Sequence, residues 1–440
     1  MRVDVENYRN ISILSCPGRL LEKIMCVRLT EKLEPVISSC QHAYLKGRST
    51  TTNLLEFVSN TIVNMEDGFQ VDALYLDFKK AFDSINHDLP LAKLRKYDVD
   101  HDTIGWLRSY LSGRNQQVRI NGEVSTAVPV TSGVPQGSHI GPILFVFFLE
   151  DLVQHLGEVS CSVYADDMKL HRVVRCTQDQ HELQVLLERV ERWGAINDMN
   201  LNPSKSQHMI YTRSQRVKHF NYSIGDTVLH QVNTVRDLGV ILDTKLNMTK
   251  HIDTVISKAR ATLGLVKFFS RGFDNPRATK TLYCTLVRSL LEYAAPVWSP
   301  VATCHINRLE SIQKQFVLFA LGRQRIDNSY ALPPYRERVA TLGIDTIVDR
   351  HRLACVTVIH DSLLGRINCS AIRERIAVNN NRRGRHSRYL TIAAHRTNYG
   401  LFEPINKCAR FFNDVAFIFL QGHSRCGFRR EVAQFYRTCE

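Results

Sequence analysis

Residues 162–170, Ser-Val-Tyr-Ala-Asp-Asp-Met-Lys-Leu, set two adjacent carboxylates between two short runs of apolar and β-forming residues. The alternation on either side predicts a β-hairpin with Ala165, Asp166 and Asp167 at its tip. Two like charges at a tight turn are costly unless something positive neutralises them. The usual remedy for clustered carboxylates is a hard divalent cation, Mg²⁺ above all. Taken singly, such a pair is also what an ordinary solvated turn looks like, so the rest of the chain must decide.

The surrounding pattern alternates strands and helices. Residues 19–29 carry apolar positions at helical spacing with basic residues between them, and a helix is expected over about 51–64. Residues 71–78 (VDALYLDF) predict a short apolar strand with Asp77 near its carboxyl end. A helix is expected from about Leu89. Residues 116–120 and 124–130 flank Asn121-Gly122, the strongest short hairpin signal in the chain. A loop over 131–138 leads into an apolar helix over 141–152, and residues 181–197 are amphipathic and helical in pattern. Strand-like runs are expected around 207–212 and 238–242, and from Lys250 onward the pattern is almost wholly helical. Strands and helices up to about 245, followed by helices, predict an α+β domain with an all-helical extension.

Asp77, Asp166 and Asp167 can then be taken together. If the 71–78 strand lies beside the hairpin in one sheet, three carboxylates converge on one edge. Two Mg²⁺ ions held there would clamp the attacking and leaving oxygens of an in-line phosphoryl displacement. That is the chemistry of a nucleotide polymerase or a nuclease.

Charge agrees with a polyanionic partner. The chain has 57 Lys and Arg against 43 Asp and Glu, a net of +14. The excess is uneven, because residues 350–440 hold 16 Lys and Arg against 6 Asp and Glu. Its densest part, residues 379–388, lacks hydrophobic periodicity and reads as an exposed loop, either a phosphate contact or a solvated linker. The twelve cysteines are scattered without a Cys-x-x-Cys pair and read as reduced intracellular thiols. The apolar run over 143–149 is too short to span a bilayer, so no membrane role is expected.

The ordered motifs resemble the reverse transcriptases of non-LTR retrotransposons, particularly the jockey-like group. Glu6-Asn7-Tyr8-Arg9 with Ile11-Ser12-Ile13-Leu14 looks like the family's opening block, and residues 41–50 look like its fingers motif. Residues 76–83 (LDFKKAFD) match the first palm motif, 132–138 (SGVPQGS) the second and 164–167 (YADD) the third. Residues 201–205 (LNPSK) resemble the fourth, 237–240 the primer-grip region, and 290–298 a thumb segment.

The resemblance implies a right-hand polymerase with fingers, a palm with an antiparallel sheet, a helical thumb and a basic helical extension. It divides the chain into fingers over 1–70, palm over 71–245 with a fingers insertion near 100–130, thumb over 246–330, and a basic helical region over 331–440. It makes Asp77 and Asp166 the main ligands of two Mg²⁺ ions (Mn²⁺ as a substitute), with Asp167 supporting and the Phe78 carbonyl completing a metal shell. Phe82 would stand against the sugar of the incoming nucleotide and exclude a 2′-hydroxyl; core packing is its competing reading. Gln136 would contact the nucleotide or template backbone, and Gly137 would let the main chain approach closely. Lys205 would sit near the pyrophosphate as a general acid, against the reading of an ordinary solvated lysine. Lys46 and Arg48 would hold the triphosphate. The implied partners are an RNA template (element RNA), a DNA primer or target, and dNTPs, in an intracellular protein acting at the nucleus when DNA is made and otherwise in the cytoplasm. The oligomeric state is left open.

The chain also departs from the family's pattern. The family usually has Gly-Phe-Arg where Ala43-Tyr44-Leu45 stands, an aliphatic at His139, and a proline at Asn10. The polymerase region opens the sequence, with no endonuclease domain before it, so a truncated element copy is expected, with any nick supplied by another enzyme. Leu45 and His139 motivate a second reading, a nucleic-acid-binding relic that does not polymerise. An RNA-dependent RNA polymerase would share the metal site, and Phe82 argues against it.

Overall fold

The computed structural model describes residues 12–156, 161–273, 275–322, 333–379 and 388–438. Most of the opening block, residues 6–11, and residues 380–387 of the basic loop lie outside this set. The chain divides into two compact units. The first comprises Met1–Ser49, Gln70–Ile210 and Ser214–Val232; the second comprises Thr50–Phe69, Tyr211–Arg213 and Asn233–Glu440.

The first unit is built on a five-stranded sheet in the order His230–Gln231, Gln207–Tyr211, Gln70–Leu76, Asp167–Val174, Cys161–Tyr164. Gln70–Leu76 is buried at six of its seven positions, as a strand covered on both faces must be. It pairs antiparallel with Asp167–Val174, which pairs antiparallel with Cys161–Tyr164. The expected sheet is therefore antiparallel at the side that carries the Asp166–Asp167 turn. Its far edge is not, because His230–Gln231 runs parallel to Gln207–Tyr211.

Two helices cover this sheet. Ile140–Leu156 is apolar nearly all round (IGPILFVFFLEDLVQHL) and is correspondingly buried, with Leu144, Phe145, Phe148, Leu149 and Leu152 at 0% exposure. Thr177–Ile196 is amphipathic and buries Leu183, Leu187 and Val190. Asp179 caps its start by accepting from the N–H groups of Cys176 (2.9 Å) and Arg175 (2.7 Å). The Asn121-Gly122 turn forms as expected, with φ of +50° and +95° between Arg119–Ile120 and Glu123–Val124. Those strands are shorter than the sequence suggests. The Ser125 hydroxyl takes the Val118 N–H and interrupts the ladder, which resumes only at Asn115–Gln116 with Val128–Pro129.

In the second unit, long helices dominate, among them Thr50–Glu66, Thr249–Phe269, Thr303–Gly322, Ile347–Leu363, Pro404–Phe419 and Arg425–Thr438. The strand expected over 238–242 is a hairpin instead. Thr234–Asp237 pairs with Val240–Asp243 about a turn in which Leu238 (φ +42°) and Gly239 (φ +87°) are left-handed. The Tyr293 hydroxyl donates to the Leu238 carbonyl at 2.8 Å, and a Cβ on Gly239 would lie 3.0 Å from the Tyr293 ring. The basic residues of the carboxyl-terminal helices are partly paired within the unit: Arg350 with Glu292, Arg425 with Asp361 and Arg437 with Asp345. Among the described residues, no helix is long and apolar enough to cross a membrane.

Candidate active site

The strand register assembles the site. Leu76 faces Met168 across the central pair, and Tyr164 faces Asp167 across the hairpin. Asp77, one residue beyond Leu76, therefore leaves the sheet at the end where Asp166 and Asp167 turn. Its neighbours Leu76 and Phe78 are buried, as are Ala165 and Met168 beside the acidic pair. Asp77 and Asp166 are half-buried and Asp167 is exposed. Among the described residues, the three carboxylates share this sheet end without all closing to within 4.8 Å of one another. All are hard oxygen donors with access to solvent, a set that fits divalent hard cations.

The turn itself is strained. Ala165 has φ +56°, a region that an L-residue with a Cβ enters at a cost of roughly 1–2 kcal/mol. Gln41 holds it there. This side chain is 1% exposed, and its Oε1 accepts from the N–H groups of Ala165 (3.2 Å) and Ala43 (2.9 Å). The backbone around Gln41 pairs with the hairpin strand as well, through His42 N–H to the Val163 carbonyl and Val163 N–H to the Cys40 carbonyl, both 2.9 Å. Sequence reasoning placed Gln41 in a motif and gave it no role.

The loop carrying Lys205 is stitched to Asp77. Asp77 N–H donates to Ser206 Oγ (3.1 Å), and its carbonyl accepts from Asn202 N–H (2.7 Å). Phe78 forms an isolated antiparallel bridge with Leu201. Lys205 lies three residues past Asn202 in this loop, with an exposed side chain.

Asp83 organises the Pro135-Gln136-Gly137 loop, a second role that sequence reasoning missed. Gln136 Nε2 donates to Asp83 Oδ1 (2.9 Å), Ser132 Oγ donates to the Asp83 carbonyl (2.9 Å), and Val134 N–H donates to the Phe82 carbonyl (2.9 Å). Gly133, at φ +82°, passes so close that a Cβ would lie 2.8 Å from Asp83 Cα. Gly137, at φ +107°, occupies a conformation that glycine alone adopts readily. The half-buried Phe82 stacks on Phe145, with ring centroids 4.3 Å apart and planes 20° from parallel. Core packing thus occupies one face of the ring.

The fingers loop shows what the departing residues do. Leu45 is 5% exposed and belongs to the core that also contains Ala43 and Val163. His139 has an exposed side chain, and its backbone donates to Glu22 Oε2 (2.9 Å) and accepts from Cys26 Sγ (3.4 Å). The packing penalty expected of a histidine here does not arise. Arg48 Nη1 donates to the carbonyls of Ser38 (2.7 Å) and Gln41 (2.6 Å), so part of its guanidinium braces the loop. Lys46 is exposed. Tyr44, exposed at φ +57°, has its phenol pKa raised by burial and then by the negative charge of Asp166.

A family model described as reverse transcriptase (RNA-dependent DNA polymerase) matches residues 3–242, a span that holds every residue of this site. The probable RNA-directed DNA polymerase from transposon X-element of Drosophila melanogaster is 27% identical over 325 residues, covering 72% of this chain and 36% of that protein. The RNA-directed DNA polymerase from mobile element jockey of Drosophila funebris is 25% identical over 330 residues, covering 72% and 36%. The putative 115 kDa protein in type-1 retrotransposable element R1DM of Drosophila melanogaster is 29% identical over 339 residues, covering 75% and 32%. The chain spans about a third of the length of these curated relatives.

Proposed function

The chain belongs to the reverse transcriptase (RNA-dependent DNA polymerase) family, and from that premise we propose that it adds deoxynucleotides to a primer 3′-hydroxyl on an RNA template. The observation that carries this reading is the register that brings Asp77 to the same sheet end as Asp166 and Asp167.

Reverse transcriptases use divalent metal ions. Here Asp77, Asp166 and Asp167, with the Phe78 carbonyl, would hold two Mg²⁺ ions, for which Mn²⁺ could substitute. When bound, such ions stabilise charge on the attacking and leaving oxygens of an in-line displacement. The protein's own residues do the positioning. Lys46, with the positive charge of Arg48 in the same loop, would neutralise the triphosphate. The free edge of Phe82, backed by Phe145, limits space at the sugar. Gln136 and Gly137 present a close backbone whose shape Asp83 fixes. Lys205 would give a proton to the departing pyrophosphate; in support, its loop bonds the Asp77 backbone through Asn202 and Ser206.

The template is element RNA and the primer a DNA end at a nicked target, with dNTPs as substrates. The work is intracellular, and nuclear when DNA is made. Leu45 and His139 favour the non-polymerising relic less than their positions in the sequence suggest, because one fills the core and the other points to solvent.

The test is primer extension on poly(rA)/oligo(dT) with Mg²⁺, run in parallel with dNTPs and rNTPs. Extension with dNTPs and little with rNTPs is expected. Failure to extend with retained RNA binding would favour the relic, and efficient rNTP use would overturn the assignment of Phe82.

A further inference from the structure

We infer that Gln41 is a positioning residue for the metal-binding carboxylates, locking the Asp166–Asp167 turn and the fingers loop into one register. The inference rests on the polymerase reading above and deepens it.

Three observations carry it. First, Ala165 is the residue that must take positive φ for the hairpin to close at Tyr164–Asp167, and alanine does so only when its surroundings impose it. Second, the N–H of that alanine is buried, and Gln41 Oε1 accepts it. The same oxygen accepts the N–H of Ala43, which precedes the left-handed Tyr44. One side-chain oxygen thus ties together two strained backbone segments that are 122 residues apart in the sequence. Third, Gln41 cannot drift. Its carbonyl accepts from Arg48 Nη1 at 2.6 Å, and it bridges Val163 in parallel fashion.

Without the amide oxygen, two buried N–H groups lose their acceptor and the turn is free to relax its φ. Asp166 would then leave the position that register gives it relative to Asp77.

Gln41→Met keeps the side chain's length and apolar volume while removing the acceptor. On the full chain, kcat for dNTP addition is expected to fall about 10- to 100-fold, as for other residues that orient metal ligands. The KM for dNTP and the affinity for template–primer should stay within about twofold, because the binding surface is kept. Mn²⁺ binding, followed by electron paramagnetic resonance without substrate, should weaken about tenfold. Adding Ala165→Gly should restore much of both losses, since glycine takes positive φ unaided. A structural role alone would not respond to that second change.

Wild-type kcat and Mn²⁺ affinity in Gln41→Met would overturn the inference. So would a loss that tracks unfolding, by circular dichroism, and that Ala165→Gly leaves unrepaired. If the parent fails to extend a primer while Gln41→Met still weakens Mn²⁺ binding and Ala165→Gly repairs it, the polymerase reading falls and the positioning role stands.

Discussion

Asp72 and Asp77 lie five residues apart, one within the central strand and one at its exit, and their surroundings are opposite. Asp72 is fully buried, and three neutral donors surround it: Gln70 Nε2 at 2.7 Å, Gln180 Nε2 at 3.0 Å and the Tyr222 hydroxyl at 2.8 Å. Burial raises its pKa, and those hydrogen bonds offset part of the rise. Asp77 is half-open to solvent, and what the chain fixes around it is its backbone, through Asn202 and Ser206. A carboxylate whose lone pairs are filled by the protein is part of the scaffold. One whose backbone is clamped and whose side chain is half-open to solvent adds little to that scaffold.

The largest expected effect separates the two residues directly. Asp77→Asn should reduce primer extension about a thousandfold, the equivalent of some 4 kcal/mol of charge stabilisation. Its unfolding midpoint should stay within about 2 °C of the parent, since a half-exposed side chain contributes little. Steady-state extension and thermal unfolding check both halves. Retention of activity would remove Asp77 from the site.

Asp72→Asn should invert that result. An amide presents two N–H donors to these three donors where the buried carboxyl presents at most one, which costs about 1–3 kcal/mol for the group left unsatisfied, most at acidic pH. Urea unfolding should show that loss. Extension below the unfolding transition should remain within about threefold of the parent, because the change lies far along the strand from the sheet end. A dead but fully stable Asp72→Asn would place the functional acid in the core and undo the distinction.

The sequence made one side of this contrast far more legible than the other. Alternation about Asp166 and Asp167, the apolar run ending at Asp77, and Asn121-Gly122 all report on neighbours in the chain. The hairpins and the α+β arrangement could therefore be read from them. The fourth motif could be placed only by resemblance, yet it lies where Asp77 needs it. What stayed hidden depends on partners remote in sequence. Asp72 reads as an interruption in an apolar strand until Tyr222, 150 residues on, donates to it. Gln41 reads as one polar residue of a motif until its bond to Ala165, 124 residues away, is seen. Leu45 and His139 looked like losses because a motif fixes residue type and not direction; one points into the core and the other away from it. Leu238-Gly239 reads as strand because periodicity cannot register the left-handed turn that the Tyr293 hydroxyl helps hold.

The smallest expected effect is in the pH dependence of stability, where the scaffold side of the contrast should show itself alone. Asp72 has a folded-state pKa above its ordinary value of 3.8, burial being the main cause. Its contribution is therefore full below that value and is lost as pH rises through the raised pKa. His208, 1% exposed on the neighbouring strand and edge-on to Tyr222 at 4.8 Å, behaves in the opposite sense. Burial, and then the charge of His219, lowers its pKa from 6.5 to about 4. Its contribution is full above 6.5 and is lost as pH falls from 6.5 through about 4. The two groups share Tyr222 and oppose each other across the mildly acidic range, each with a limiting slope of about 1.4 kcal/mol per pH unit. The cost of Asp72→Asn should thus be greatest near pH 4 and shrink toward neutrality, while His208→Phe should flatten the parent's loss of stability on acidification. Urea unfolding at a series of pH values reads both. A cost of Asp72→Asn that grows with pH would mean that the three donors hold Asp72 ionised more strongly than burial opposes it.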